Sequence, residues 1–207
     1  MYTLLLLLIY LAFISLGLPD SLLGSAWPVM HEAFQVPLSY AGLVTMIISG
    51  GTICSSLLSE RLTKKLGTQI VTVCSVLLTA VALFGFSTAS AFWMLCIWAI
   101  PYGLGAGAID AALNNYVALH YNSRHMSWLH CFWGLGTIIS PYVMSYALTT
   151  SVWQNGYRMV SFIQFGIMII LFLTLPVWKV NQKTSVQHEE ASDEMVAKEE
   201  GFTQLAA

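Results

Sequence analysis

The longest uncharged stretch of the chain, residues 66–109, contains no Asp, Glu, Lys or Arg. A membrane-spanning helix needs about 20 predominantly apolar residues, so this stretch has room for two. The cluster Ser87-Thr88-Ala89-Ser90 predicts the turn between them. Only 9% of all residues are charged, against about 25% in soluble domains. The chain is therefore predicted to be an all-α integral membrane protein whose surroundings are a lipid bilayer.

Length and hydropathy together predict six transmembrane helices. They cover about 3–30, 38–59, 68–87, 91–119, 127–150 and 157–178. Residues 1–178 are thus expected to form a six-helix transmembrane bundle. Residues 179–207 hold six of the chain's ten acids and few aromatics, which is typical of an acidic cytoplasmic tail or of a truncated linker.

Basic residues are distributed unevenly between the two sides of the predicted bundle. One side carries Arg61, Lys64, Lys65, Arg124, Lys179 and Lys183. The other side carries only Arg158. Because short cytoplasmic loops are enriched in Lys and Arg, both termini are predicted to be cytoplasmic. We expect a multi-pass protein of the plasma or inner membrane.

The sequence lacks the motifs that are typical of several functional classes. Cys54, Cys74, Cys96 and Cys131 lie far apart in apolar runs, without zinc or haem spacing, so we expect no metal site and no cofactor. No basic patch with interleaved aromatics suggests nucleic acid. No G-x-S-x-G or H-E-x-x-H motif is present, so the chain is not expected to be an enzyme.

The fourth predicted helix carries the most unusual polar residues. Asp110, Asn114 and Asn115 interrupt an apolar segment, and Gly103, Gly107, Asp110 and Asn114 share one helical face. An ionisable group at membrane depth costs roughly 2.5–3.5 kcal/mol, so it seldom faces lipid and by default is a functional candidate. The alternative is that Asp110 is an interhelical hydrogen-bonding strut.

A short repeat relates the first and fourth helices. Residues 17–24 and 107–114 both read G-x-x-D-x-x-L-[G/N]. The first helix runs outward and the fourth inward, as a three-plus-three inverted repeat requires. Transporters place their binding sites at such repeat interfaces. We therefore expect Asp20 and Asp110 to face one water-accessible cavity.

Aromatic and histidine side chains are further candidates for that cavity. Asp20, Gly24 and Trp27 align on the first helix, and His130 aligns with Trp133 on the fifth. Aromatic rings beside polar groups suit a sugar-like ligand. Each residue also has a structural interpretation, His130 as a core hydrogen-bonding residue and the tryptophans as interfacial anchors.

The two polar runs resemble a known family. The segments are Asp110-Ala-Ala-Leu-Asn114-Asn115-Tyr116 and 127–136, which continues to Ser140-Pro141. They resemble the N-terminal six-helix half of the major facilitator superfamily, in its fucose-permease-like (fucose/glucose/galactose:proton symporter) branch. This resemblance implies proton-linked acids at Asp20 and Asp110, a substrate-contacting amide at Asn114, and a second six-helix half as partner.

The loop expected between the second and third helices resembles the superfamily's G-x-x-x-[DE]-R-x-G-[RK]-[RK] gating motif. Glu60-Arg61 followed by Lys64-Lys65 retains the acid and the basic residues but loses both glycines. Alignment on Gly67 instead places Lys64 at the acidic position. The motif is matched only in part.

The preferred hypothesis is a secondary active transporter that moves a small polar solute, such as a sugar, together with protons. Asp110 exchanges the proton, Asp20 assists it, and Asn114 and Asn115 hydrogen-bond the solute. One alternative is an exporter of drugs or metabolites with the same fold. Another is a truncated, non-transporting half that needs a separate C-terminal partner.

Overall fold

The computed structural model describes residues 2–176, which contain helices and no strand. The α-helices are α1 (Tyr2–Asp20), α2 (Leu22–Ala33), α3 (Ala41–Leu66), α4 (Thr68–Ser87), α5 (Phe92–His120), α6 (Ser123–Thr150) and α7 (Trp153–Leu173). A 3-10 turn, Leu38–Tyr40, precedes α3. Six segments are long and apolar enough to cross a membrane, and the first of them combines α1 and α2. The predicted six-helix architecture is confirmed.

The break between α1 and α2 follows from Pro19, which has no backbone N–H to donate to the carbonyl of Ser15. Gln164 on α7 donates from Nε2 to that carbonyl at 2.6 Å. The Oε1 atom of Gln164 accepts a hydrogen bond from Thr79 on α4 at 2.7 Å. One buried amide therefore compensates for the proline and joins three helices.

The helices pack in a pattern that repeats between the two halves of the bundle. α1 packs mainly against α6, and α3 packs mainly against α5. A Cβ on Gly17 would overlap the carbonyl of Trp133, and a Cβ on Gly107 would overlap the carbonyl of Thr52. The glycine of each G-x-x-D segment thus allows a close helix approach.

Two apolar clusters form the core, one toward each end of the bundle. Leu22, Leu83 and Tyr157 belong to the first cluster. Ile9 and Leu113 belong to the second. Asp20 is the last residue of α1 and lies near the middle of the first span, between residues of these two clusters. This position places the candidate site near the middle of the bundle.

The second predicted helix extends beyond its expected end. α3 continues to Leu66, and the connection to α4 is Gly67 alone, with φ of 85°. The prediction that Glu60, Arg61, Lys64 and Lys65 form a loop is therefore wrong, because all four lie in the last turns of α3. Neither Pro nor Gly occurs between Gly51 and Gly67, and the positive φ of Gly67 suits a helix end.

Smaller differences occur at other helix ends. The helix of the first span reaches Ala33, beyond its predicted end near residue 30, so His31 and Glu32 are helical. α7 begins at Trp153 rather than near 157. The predicted tail, residues 179–207, lies outside the described part of the chain.

Candidate functional site

A cavity of about 320 Å³ lies between α1, α3, α5 and α6. Its lining combines carboxylates, aromatic rings and apolar side chains. The lining residues are Phe13, Leu16, Asp20, Ile48, Thr52, Tyr102, Ala106, Asp110, His130 and Trp133. Four of the predicted site residues, Asp20, Asp110, His130 and Trp133, are therefore brought together.

Asp20 is hydrogen-bonded by two other helices. The hydroxyl of Tyr102 on α5 donates to Oδ1 at 2.9 Å. The indole N–H of Trp133 on α6 donates to Oδ2 at 2.8 Å. Both donors are compatible with a charged carboxylate, since an ionised carboxylate only accepts hydrogen bonds. The break after α1 places this acid where both donors reach it.

The contact between α1 and α6 explains why Trp133 reaches Asp20. Gly17, one turn before Asp20, lies against the backbone of Trp133. Gly136 lies in the same way against the backbone of Ile14 and Leu18. Because neither glycine has a side chain, the two backbones approach closely enough for the indole to hydrogen-bond the carboxylate.

Asp110 has a local partner on its own helix. Nδ2 of Asn114 donates to Oδ1 of Asp110 at 2.9 Å. The two residues are four positions apart, so their side chains lie one above the other on α5. The ring of His130 also faces this cavity and makes an edge contact with Phe13, with ring centroids 6.3 Å apart.

Three predicted site residues, Trp27, Asn114 and Asn115, do not line the cavity. Trp27 is 4% exposed and donates its indole N–H to the carbonyl of Leu38 at 2.7 Å. Its ring also packs against Phe92. Asn115 lines a different cavity of about 520 Å³, which also contains Glu60 and His120. These contacts give Trp27 a packing role and separate Asn115 from the carboxylates.

The four residues of the predicted gating motif occupy the surface at the end of α3. Lys64 and Glu60 form an ion pair at 2.7 Å, and their side chains are 75% and 72% exposed. Arg61 and Lys65 are exposed as well. Within the described residues, this ion pair joins neighbouring turns of one helix and does not tie α3 to another element.

Tyr102 lines the cavity but was not singled out from the sequence. Tyr102, Ala106 and Asp110 are spaced by four residues on α5, so helical spacing alone could have identified Tyr102. Thr52 donates to the carbonyl of Ile48 at 3.0 Å and to that of Gly103 at 3.3 Å. In the sequence, Thr52 belongs to a stripe of hydroxyl residues on one face of α3, Thr45, Ser49, Thr52 and Ser56, which suits either a polar cavity face or helix packing.

The site can exchange protons and bind polar groups. Its two carboxylates accept protons or hydrogen bonds, and its rings offer flat apolar surfaces. Among residues 2–176, no group of three His, Cys, Asp or Glu side chains is arranged to hold a metal ion.

Comparison with known proteins agrees with this architecture. The chain is 23% identical over 192 residues to Bypass of stop codon protein 6 of Saccharomyces cerevisiae, covering 88% of the chain and 38% of that protein. It is 22% identical over 166 residues to the Glucose/mannose transporter GlcP of Bacillus subtilis, covering 79% of the chain and 40% of that protein. The second relative is consistent with the fucose-permease-like branch.

The chain thus spans 38% and 40% of the lengths of these two relatives. The sequence profile described as Major Facilitator Superfamily matches residues 9–205, nearly the whole chain. Six helices suited to crossing a membrane fit one half of that fold. The chain is an integral, multi-pass membrane protein without enzymatic chemistry, and it belongs to the Major Facilitator Superfamily.

Proposed function

We propose that this bundle is the N-terminal half of a secondary active transporter that moves a small polar solute, such as a sugar, together with protons. The observation that carries the proposal is the placement of Asp20 and Asp110. They come from the two related G-x-x-D segments and line the same cavity. Transporters built from inverted repeats bind substrate and coupling ion at such an interface.

Asp110 is proposed to take up and release the proton. A charge at membrane depth is costly, and a bound proton removes that charge. Among the described residues, its hydrogen-bond donor is Asn114 of the same helix. No other helix needs to move for the carboxyl group to gain or lose a proton.

The remaining lining residues are proposed to bind the solute. The rings of Phe13 and Trp133 supply flat surfaces for the apolar face of a sugar ring, and His130 and Thr52 supply hydrogen-bonding groups. The name of the relative GlcP, a glucose/mannose transporter, supports a sugar as the solute class.

A second six-helix half is proposed to close the cavity. Asp20 is exposed, and Trp133 is 38% exposed on the same open face. A charged group facing lipid is unfavourable, so this face requires a cover in the membrane. The two-half architecture of the superfamily supplies such a partner.

Asp110→Asn tests the function directly. This change keeps the shape and removes the titratable group, so we expect proton-coupled accumulation of solute to fall by at least about tenfold, the effect of losing roughly 1.4 kcal/mol. The measurement is uptake of radiolabelled sugars by cells that express the full-length transporter, with and without a pH gradient. The control is Asn115→Leu, because Asn115 lies outside this cavity and the change adds no charge.

Unchanged uptake and unchanged dependence on the gradient in Asp110→Asn would contradict the proposal. Counterflow of solute that survives in this variant, while accumulation is lost, would support it further. Exchange of solute does not require net proton movement, whereas accumulation does.

The apolar part of the lining favours a second candidate, an exporter of drugs or metabolites. Leu16, Ile48 and Ala106 contribute to the same cavity and would suit a more hydrophobic solute. Thermal protection of the purified protein separates the two candidates. Stabilisation by sugars but not by apolar amines supports the first, and the reverse result supports the exporter.

A further inference from the structure

Asn114 does not line the cavity, as an amide that binds the solute would be expected to do. Its side chain is absent from the lining of the central cavity, although Asp110 on the same face lines it. Its Nδ2 donates to Oδ1 of Asp110 at 2.9 Å. Its Oδ1 is buried and has no hydrogen-bond partner among residues 2–176. Thus the donor end of the amide is used and the acceptor end is unsatisfied.

The two protonation states of a carboxyl group need different partners. A carboxylate only accepts hydrogen bonds, whereas a neutral carboxylic acid also has an O–H to donate. An amide carries both a donor and an acceptor, which exchange places when the group rotates by about 180°. The same asparagine can therefore donate to the charged form of Asp110 and accept from its neutral form.

We propose that Asn114 is a positioning residue that keeps Asp110 hydrogen-bonded in both protonation states, and that it does not bind the solute. This inference rests on the proposed function, in which Asp110 exchanges the proton. It assigns Asn114 a role different from the substrate contact that the family resemblance implies. Rotation of the amide satisfies the buried Oδ1 when the proton is bound.

The placement of both residues on α5 gives the pair a further property. Residues four apart on one helix keep their separation when the helix moves as a rigid body. Asp20, by contrast, depends on donors from α5 and α6. The pair formed by Asp110 and Asn114 is therefore preserved whichever way the cavity opens.

Other titratable groups that face Asp110 belong to three elements. Asp20 comes from α1, Tyr102 from α5 and His130 from α6. The residues from α3 in this cavity, Ile48 and Thr52, do not titrate in the accessible range, and α4 contributes none of the lining. A substitution at residue 114 leaves these three titratable groups unchanged, so they affect the pH profile of the variant and of the unmodified protein alike.

The test compares Asn114→Leu with Asn115→Leu in the full-length transporter. Leu matches Asn in size and removes both ends of the amide. We expect Asn114→Leu to displace the midpoint of the pH profile of sugar uptake by about one pH unit, because the hydrogen bond that Asn114 donates to the charged carboxylate is stronger than the one it accepts from the neutral acid. We expect KM for the sugar to change less than about twofold, as for a group that does not touch it.

Two further variants define the chemistry. Asn114→Gln retains an amide and is expected to restore most of the original pH profile. Asn114→Ser is expected to displace the profile as Leu does, because its short side chain bonds the helix backbone four residues earlier. The serine variant also replaces the leucine variant if the latter fails to reach the membrane.

The inference is overturned if Asn114→Leu raises KM severalfold with an unchanged pH profile, since that pattern identifies a solute contact. An equal displacement by Asn115→Leu also overturns it. Asp110→Asn, measured in parallel, keeps the two proposals separate. Proton-coupled uptake that survives in Asp110→Asn contradicts the proposed function. If Asp110→Asn loses this uptake, but Asn114→Leu raises KM and leaves the pH profile unchanged, only the assignment of Asn114 is contradicted.

Discussion

Asp20 and Asp110 have different surroundings although they occupy equivalent places in the two related segments. The carboxylate of Asp20 joins three helices through Tyr102 and Trp133. Asp110 is bonded within its own helix by Asn114. A proton on Asp20 would weaken contacts between helices, whereas a proton on Asp110 would leave the packing of α5 unchanged. This difference supports Asp110 as the exchanging acid.

Tyr102→Phe and Trp133→Phe test the contacts of Asp20 separately. Each variant removes one hydrogen bond to the carboxylate of Asp20 and keeps an aromatic ring. A hydrogen bond to a charged group contributes about 1.5–3 kcal/mol, so each variant is expected to weaken the site by about that amount. We expect sugar uptake to fall about tenfold or more in either variant. Trp128→Phe is the matched control, since Trp128 is 51% exposed on the same helix as Trp133 and lies outside the cavity. Equal activity in all three variants would contradict this assignment.

At the scale of the helices, close backbone contacts determine the geometry of the site. Hydroxyls of α3 also donate to backbone carbonyls of α5, Ser56 to Gly107 at 3.2 Å and Ser59 to Ala108 at 3.3 Å. Small residues and hydroxyl groups are the usual means of joining helices in a membrane. The site therefore depends on interfaces that contain few large side chains.

Gly17→Ala and Gly107→Ala are expected to destabilise the bundle. The added Cβ would overlap a backbone carbonyl at each position, and overpacking of this kind costs about 1–3 kcal/mol. Thermal unfolding in detergent measures the effect as a lower Tm. Gly134→Ala is the control, because no atom lies within 4 Å of the added Cβ. A Tm for Gly17→Ala equal to that of Gly134→Ala would show that α1 and α6 do not approach as described.

At the scale of the molecule, many apolar side chains on the outside of the bundle are exposed, and α3 and α6 carry the most exposed of them. Met46 and Leu57 on α3 are 72% and 77% exposed, and Tyr142 on α6 is 74% exposed. The span that includes α3 is only 11% buried, whereas that of α4 is 61% buried. In the proposed transporter, these exposed side chains meet lipid and the second half.

Cysteine labelling tests the predicted orientation of the molecule. The four native cysteines, Cys54, Cys74, Cys96 and Cys131, are free and are first replaced by serine or alanine. A cysteine introduced in place of Arg158 is then expected to react with a membrane-impermeant thiol reagent added outside intact cells. A cysteine in place of Arg124 is expected to react only after permeabilisation, because basic residues favour the cytoplasmic side. The opposite pattern would reverse the topology.

Much of the fold could be predicted because local sequence properties determine it. The third predicted helix, 68–87, agrees with α4 at both ends, since Gly67 precedes it and Thr88 follows it. The second helix was predicted too short, because charges at Glu60 and Arg61 end an apolar segment without ending a helix. Hydropathy indicates which residues lie within the membrane. The helix itself ends only where the backbone leaves the helical conformation, here at Gly67.

The membrane class, the six spans, the repeated G-x-x-D segments and the family can all be read from composition, length and residue order. Which polar and aromatic residues meet follows instead from the packing of the helices. Trp27 and Trp133 are equally plausible in sequence, yet only Trp133 reaches Asp20. Asn114 and Asn115 are adjacent, but successive side chains on a helix point about 100° apart. Asn114 therefore bonds Asp110, whereas Asn115 lines another cavity. Such choices depend on helix rotation and on the approach of neighbouring helices, which local sequence does not encode.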